Sequence, residues 1–551
     1  MVSNNLQQEI KEFFKGEVLF DNETLEKYSH DASLFKVRPQ LVAYPRDSKD
    51  VSGLIHFINN NRNEYRKLSI TGRAAGTCMS GGAIGEGIIL DFTRYFDSEE
   101  VDIEGLRAAV GPGLFFRDFE KETLPKHVSM PVYPASKSLA AFGGMIMNNC
   151  GGEKTLQYGQ MRNFVNRLRM VLANGEEYSF RKLNKDELES KLEQSGFEGE
   201  IYRKTFELID QNYDLIKNAK PKVDKNSSGY ALWDVYDKEA GTFDLTQLFT
   251  GSQGTLGILT EAEVRLVEIK EHKRLVVLFF KKWSKLPQVV SRLIKVKPES
   301  METFDDTTMK LGIRFMPEIA KKVGKSTFAF AKQFLPEVLI GIKMLGIPKL
   351  IVLVQIAEAS EEEADRKVEE TISSLGGLKV MHRIVKDEDE AEKYWVMRRE
   401  SFNLLRKHVK GKRAAPFIED FCVSPEKLPE FLPKLLDILK KNNIKVNIAG
   451  HAGSGNLHII PLMDLKKQEE RDKIPVVSEQ VYSLIVEYGG TITAEHNDGI
   501  IRTPYVEKMF GEEVYDLFVR VKEIFDPNNI FNPGKKVGGT IEYMKEHIDE
   551  Q

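Results

Sequence analysis

The sequence predicts a two-domain α+β protein, and three observations carry that reading. A chain of 551 residues exceeds what one ordinary hydrophobic core organises. Its first half sets short apolar strands around glycine-dense loops, the first of which runs into a strand, not a helix. Beyond residue 270 the texture changes to longer apolar runs, RLVVLFFKKW and KLIVLVQIAE, separated by helical stretches such as EEEADRKVEETISSLG. That pattern makes a sheet covered by helices, with a domain boundary at 268–272.

The elements follow in order. LVAY from Leu41 is a strand, Pro45 a turn, and the next segment an amphipathic helix with Val51, Leu54, Ile55 and Ile58 on one face. RKLSI is a strand, TGRAAGTCMSGGAIGEG a loop, and GIILDF a second strand. A dinucleotide fingerprint needs a helix opening straight after its glycines, so that reading is excluded. GKST at 324–327 is no phosphate loop either, because Ile319 stands where the required first glycine would be. Further glycine-dense loops lie at 140–152 (AAFGGMIMNNCGG) and 251–259 (GSQGTLGIL). Such loops let backbone N–H groups approach a diphosphate, although each taken singly is better read as a tight turn.

Composition narrows the function classes. With 79 basic against 83 acidic residues, the net charge of -4 lacks the excess of cations a nucleic-acid footprint needs. Cys78, Cys150 and Cys422 are far apart with no C-x-x-C pair, which excludes a zinc knuckle or a cluster ligand set and suits reduced thiols in the cytoplasm. The polar start MVSNNLQQEIKEFF implies no export. The apolar stretch from Phe334 to Ala357 is broken by Pro336, Lys343, Pro348 and Lys349, so it offers no membrane span of ~20 residues. Ordinary packing in the second domain is expected of it, with docking on a membrane as the alternative.

Two of only ten histidines fall within HAGSGNLH at 451–458. Read as a hairpin turning through Gly453–Gly455, KVNIAGHAGSGNLHIIPLM sets His451 directly opposite His458, with Cβ atoms roughly 5 Å apart, close enough to share a divalent ion. A third ligand is available from TITAEHNDG, where Glu495 and His496 both reach one site only if the strand ends there. Asn497 tolerates the positive φ such a turn requires. Hydrogen-bonding histidines in a glycine-rich turn are the plainer alternative.

The segments TGRAAGTCMSGG (71–82), VGPGLFFRDF (110–119), GGMIMNNCGGEKTLQYG (143–159), GSQGTLGI (251–258), GHAGSGNLH (450–458), TAEHNDG (493–499) and FDPNNIFNPGK (525–535), in this order, resemble the FAD-linked D-2-hydroxy-acid dehydrogenases. That family is related to vanillyl-alcohol oxidase and includes bacterial glycolate oxidase, D-lactate dehydrogenase and D-2-hydroxyglutarate dehydrogenase. The resemblance implies an α+β chain with an N-terminal helical segment (1–36), a PCMH-type FAD-binding domain (37–268), a cap with an antiparallel sheet of the FAD-linked oxidase C-terminal type (269–500), and a tail returning to the FAD domain (501–551). It implies flavin contacts from Arg73, Ala75, Gly76, Thr77, Ser80, Gly81, Gly82, Pro134, Gly143, Gly144, Asn148, Gly152, Tyr158, Gly254, Thr255, Gly257, Ile258 and Asn532. Some relatives tether flavin through a histidine in the first loop. RAAGTC has none, so FAD is expected to be noncovalent.

The family order favours a metal and a base over the plainer reading of the histidines. Oxidising a 2-hydroxy acid removes a hydroxyl proton and a hydride from one carbon, so His496 is the expected base and flavin N5 the hydride acceptor. A divalent ion (zinc, manganese or iron) on His451, His458 and Glu495 is the expected Lewis acid. Arg398 aligns with the family's carboxylate-binding arginine, with Arg399 competing, and Asn456 joins the site from within the histidine motif. Two departures stand out: Ile418 where some relatives carry lysine, and Ala135 where many carry aspartate. Three scattered cysteines hold no cluster, so electrons are expected to leave to a quinone, an electron-transfer flavoprotein or an iron–sulfur subunit. This reading places the enzyme in the cytoplasm, with peripheral contact at the inner face of the membrane as the alternative. The alternatives are a non-redox synthase like alkylglycerone-phosphate synthase and a non-catalytic FAD electron-transfer subunit.

Overall fold

The N-terminal 36 residues do not stand apart as a helical segment. Helix α1 (Asn4–Phe13) leads into strand β1 (Glu17–Leu19), which pairs antiparallel with β2 (Leu41–Tyr44). The Asp50 carboxylate accepts the N–H groups of Lys15 and Gly16 at 2.8 and 3.0 Å, so a buried hydrogen-bond acceptor pins the segment to the domain. The computed structural model describes residues 4–408 and 411–550.

Asp47 caps helix α2 (Ser48–Asn60) by accepting from Lys49 and Asp50, and Val51, Leu54, Ile55 and Ile58 are its buried face, as the spacing predicts. Strands β3 (Ile70–Arg73) and β4 (Ile88–Asp91) are parallel, giving a first sheet of order β1-β2-β4-β3. The glycine-rich segment between them crosses over without a helix. The C-terminal tail joins this sheet: Ile70 N–H donates to Ile530 O at 2.7 Å and Asn532 N–H to Ile70 O at 2.8 Å. A second, antiparallel sheet has β5 (Glu99–Asp102), β6 (Arg107–Val110), β7 (Val165–Val171), β8 (Glu177–Arg181) and β9 (Ile258–Arg265) in the order β5-β6-β9-β7-β8. Helix α3 (Phe142–Met147) sits in the glycine-dense stretch beside it.

The second half builds the antiparallel cap sheet. Its strands are β10 (His272–Phe280), β11 (Ser300–Asp305), β12 (Leu350–Glu358), β13 (Met381–Val385), β14 (Arg413–Ala414), β15 (Phe421–Cys422), β16 (Val446–His451) and β17 (Asn456–Met463). The order is β13-β10-β12-β11-β16-β17-β14, with β15 also on β17. Every residue of β12 is buried, because both faces of the sheet are covered, which explains its unbroken apolar run.

Four helices, α4 (Asp306–Arg314), α5 (Met316–Lys322), α6 (Thr327–Lys332) and α7 (Leu335–Lys343), are inserted between β11 and β12, and α8 (Glu388–His408) packs against α4. Continuous burial holds for Leu350–Ala357, and Met344 packs into the cap core, whereas no residue of α7 is fully buried. Among the described residues no helix is long and apolar enough to cross a membrane.

Candidate active site

A cavity of about 530 Å³ opens between the two halves of the chain. From the first half it is lined by the loop after β3, by 134–141, by α3 and the residues after it, and by the start of β9. From the cap come Thr308, Arg398, Arg399, Glu419, Ala449, His458, Ile460, Glu495 and His496. Among the expected flavin contacts Arg73, Ala75, Gly76, Thr77, Gly82, Pro134, Gly143, Gly144, Asn148, Gly254, Gly257 and Ile258 lie on its wall, as does Ala135.

Ser80, Gly81, Gly152, Tyr158, Thr255 and Asn532 do not line it, each for a packing reason. Ser80 Oγ donates to the carbonyl of His496 at 2.9 Å, tying the first loop to the cap. Gly81 is packed under Phe35 and Ile500, and Gly152 lies against the Tyr133 carbonyl, which a Cβ there would approach to 2.0 Å. Tyr158 packs its ring edge-on to Phe164. Thr255 Oγ1 donates to Ser252 O at 2.7 Å, and Asn532 Nδ2 donates to Gly82 O at 2.9 Å and Gln253 O at 2.8 Å. These residues shape the loops from behind. Gly144 is the opposite case: nothing lies within 4 Å of where its Cβ would stand, so its backbone faces open cavity. A flat ring system fits against such a wall.

The histidine hairpin forms with a different register from the expected one. His451 pairs with Asn456, and His458 with Ala449. The chain turns earlier, through a 3-10 turn Ala452–Ser454 and a left-handed Gly455, so the two histidines are diagonal rather than directly opposite. Side chains two positions apart still share a face, and the rings meet at 5.2 Å, edge to face. His458 in turn stacks on His496 at 5.4 Å with planes 13° apart. The expected strand does not form over 492–498, where only Thr491 bridges Cys422; the segment bends instead, with Asn497 at φ 68°, and Glu495 and His496 both reach the site.

Donor atoms of His451, His458 and Glu495 all lie within 4.8 Å of one another, and those of Asp420, His458 and His496 do too. His451 Nδ1 hydrogen-bonds Glu302 Oε1 at 2.5 Å and its Nε2 lies 3.4 Å from Glu495 Oε1. His458 Nδ1 meets the Glu419 carbonyl at 3.2 Å. With each Nδ1 tied to an oxygen, each ring turns its Nε2 toward the site, the usual arrangement around a metal-binding imidazole, although for His451 burial is outweighed by the Glu302 carboxylate, which raises its pKa, so a metal there must displace a proton. Burial, then repulsion by the other two imidazoles, pushes His458 down to about 3, which keeps it neutral and able to ligate.

Buried charges brace this group. Glu302 accepts from Arg398 Nε at 3.0 Å as well as from His451. Glu419 bridges His496 Nδ1 at 2.8 Å and Arg502 at 2.5 Å. Asp420 Oδ2 accepts the N–H groups of Glu495 and His496 at 2.8 and 2.7 Å. Burial alone would lower His496, but the Asp420 and Glu419 carboxylates outweigh it and hold it up at about 9. Burial opposes ionisation of Glu495, yet Lys225 and His451 hold its carboxyl well below the usual range.

Asn456 is wholly buried and off the cavity wall: it accepts from Lys225 Nζ at 3.4 Å and donates to Asp420 Oδ1 at 3.2 Å, so it positions rather than touches a ligand. Ile418 belongs to the cap core. Lys225, Glu302, Glu419, Asp420 and Arg502 escape the sequence motifs. Two had a signal, since Glu419 and Asp420 are a carboxylate pair inside the apolar PFIEDFCV, whereas Lys225 in VDKNSSGY has none.

Fold and site together define a flavoprotein. The family model described as FAD binding domain matches residues 39–181, and FAD linked oxidases, C-terminal domain, matches 269–536, so the chain carries these two domains in that order. It is 26% identical over 533 residues to D-2-hydroxyglutarate dehydrogenase of Haemophilus influenzae, covering 95% of this chain and 50% of that protein. The chain thus spans about half the length of such relatives. With glycolate oxidase subunit GlcD of Bacillus subtilis it shares 28% identity over 513 residues, covering 92% of this chain and 91% of the other. The crystal structure of p-cresol methylhydroxylase with substrate bound shares the fold, with a TM-score of 0.68 at 16% identity over 98% of this chain and 97% of that one.

Proposed function

We propose that the chain is an FAD-dependent dehydrogenase that oxidises a small D-2-hydroxy acid, of the D-lactate, glycolate or D-2-hydroxyglutarate type, to the 2-oxo acid. The observation that carries the reading is the meeting of His458, Glu495 and His496 on the cavity wall contributed by the cap, with His451 behind them. Noncovalently held FAD supplies the two-electron acceptor. His451, His458 and Glu495 would hold a divalent ion, which supplies a Lewis acid for the substrate oxygen.

The chain's own residues do the remaining work. His496 takes the hydroxyl proton, and Glu419 on its Nδ1 fixes the ring and balances the charge it acquires. Arg398 meets the substrate carboxylate while Glu302 holds its guanidinium in place. Arg399, paired with Glu153 at 2.7 and 2.8 Å, stands at the cavity wall as a second cation. Closing these groups around the substrate excludes water and strengthens each interaction. Electrons leave to an external acceptor (a quinone, an electron-transfer flavoprotein or an iron–sulfur subunit), and the enzyme works in the cytoplasm with peripheral contact at the membrane.

Anaerobic mixing with D-lactate, glycolate and D-2-hydroxyglutarate, before and after chelation, tests this. Bleaching of the flavin by one of them, lost on chelation and restored by a divalent metal, is expected. A flavin that none of these acids reduces defeats the proposal.

A further inference from the structure

Helices α6 and α7 carry the densest exposed apolar surface of the described residues. Phe328 is 82% exposed, Leu339 61%, Ile342 64% and Leu345 91%. Leu335, Val338, Leu339 and Ile342 recur at helical spacing and form one stripe along α7. Contiguous apolar surface of this kind marks an interaction site.

The helices are held out firmly. Glu337 turns inward to Arg383, Tyr394 and Lys393, which locks α7 to the cap. Beneath them Ile319, Ala320 and Phe330 form a small core with Val396 of α8.

Charge selects the occupant. Residues 307–349 contain eight Lys or Arg and two Glu, in a chain whose net charge is -4. Of the two acids, Glu337 is consumed inside the cap. Arg314, Lys321, Lys332 and Lys343 are exposed on the four inserted helices, with Lys343 closing α7 itself. A second copy on this face would bring like charges together. An anionic lipid surface satisfies both the apolar stripe and its cationic border.

We propose that α6, α7 and the turn after them dock on an anionic phospholipid bilayer. Phe328, Leu335, Leu339, Ile342 and Leu345 enter the headgroup–acyl boundary, and the surrounding Lys and Arg meet lipid phosphates. The same insertion reaches the site, since α4 opens with Thr308 on the cavity wall. This deepens the proposed membrane contact by naming its surface, while its test reads binding and not turnover, so either can fail alone.

Flotation of the purified full chain with phosphatidylcholine vesicles, with and without about one third phosphatidylglycerol, is the test. The wild type should float with the anionic vesicles only, and less as salt rises toward ~0.5 M. Leu339→Glu with Ile342→Glu should lower partitioning at least about tenfold. Lys332→Glu with Lys343→Glu should do the same, and both variants should keep the flavin spectrum and the wild-type melting temperature. Wild type that stays with the sediment, or variants that float as it does, overturn the proposal. So does a wild-type dimer that ignores vesicles and is split by the Leu339 and Ile342 changes, which assigns the face to a second copy.

Discussion

Lys225 and Glu495, 270 residues apart in sequence, form a buried ion pair directly beside His451, and the carboxylate they share with that histidine is the one expected to hold a metal. The site thus carries its own cation on the oxygen proposed to bind metal. Breaking such a pair strands a charge in a medium that solvates it poorly. Lys225→Met should cost about 3–5 kcal/mol in the chelated protein, and adding Glu495→Gln should recover part of that. Urea unfolding of both variants measures it, and a Lys225→Met protein as stable as wild type would show the pair to be energetically idle.

Glu302 reaches both His451 and Arg398, so it orients together one proposed metal ligand and the arginine proposed to meet the substrate carboxylate. Glu302→Gln keeps the shape and removes the charge. Divalent metal affinity, read by competition with a chromogenic chelator, should weaken about 10–100-fold. An unchanged affinity counts against His451 as a ligand.

His496 is held up at about 9 by Asp420 and Glu419. A base works only unprotonated, so the rate of flavin reduction by substrate should climb with pH and level off above that value. His496→Asn should flatten the profile and slow reduction by about 100-fold or more, with flavin still bound. Stopped-flow reduction across the pH range checks both, and a variant that retains the climb assigns it to another group.

Two glycines separate cofactor space from packing. Gly144 faces open cavity, whereas a Cβ on Gly152 would strike the Tyr133 carbonyl. Gly144→Val should fold normally yet lose FAD, seen as a colourless protein with unchanged apo-protein melting. Gly152→Ala should instead lower the melting temperature, by an amount worth about 1–3 kcal/mol. A yellow Gly144→Val protein with wild-type FAD affinity would remove that wall from the flavin site.

The amino-acid sequence by itself determined what local chemistry can fix. Periodicity placed the α2 helix and the buried strand β12, glycine followed by a strand excluded a dinucleotide loop, and Asn497 announced the turn that frees Glu495 and His496. Only the tertiary structure decided the rest. The hairpin register depends on where a 3-10 turn closes, so His451 met Asn456 instead of His458. Lys225, Glu302, Glu419 and Arg502 come from separate segments and converge because buried charges must find opposite partners, a condition set by three-dimensional packing and not by spacing along the chain. The same holds for the apolar helices α6 and α7: sequence shows that they are apolar, but whether a neighbouring element covers them is decided only when the cap is assembled.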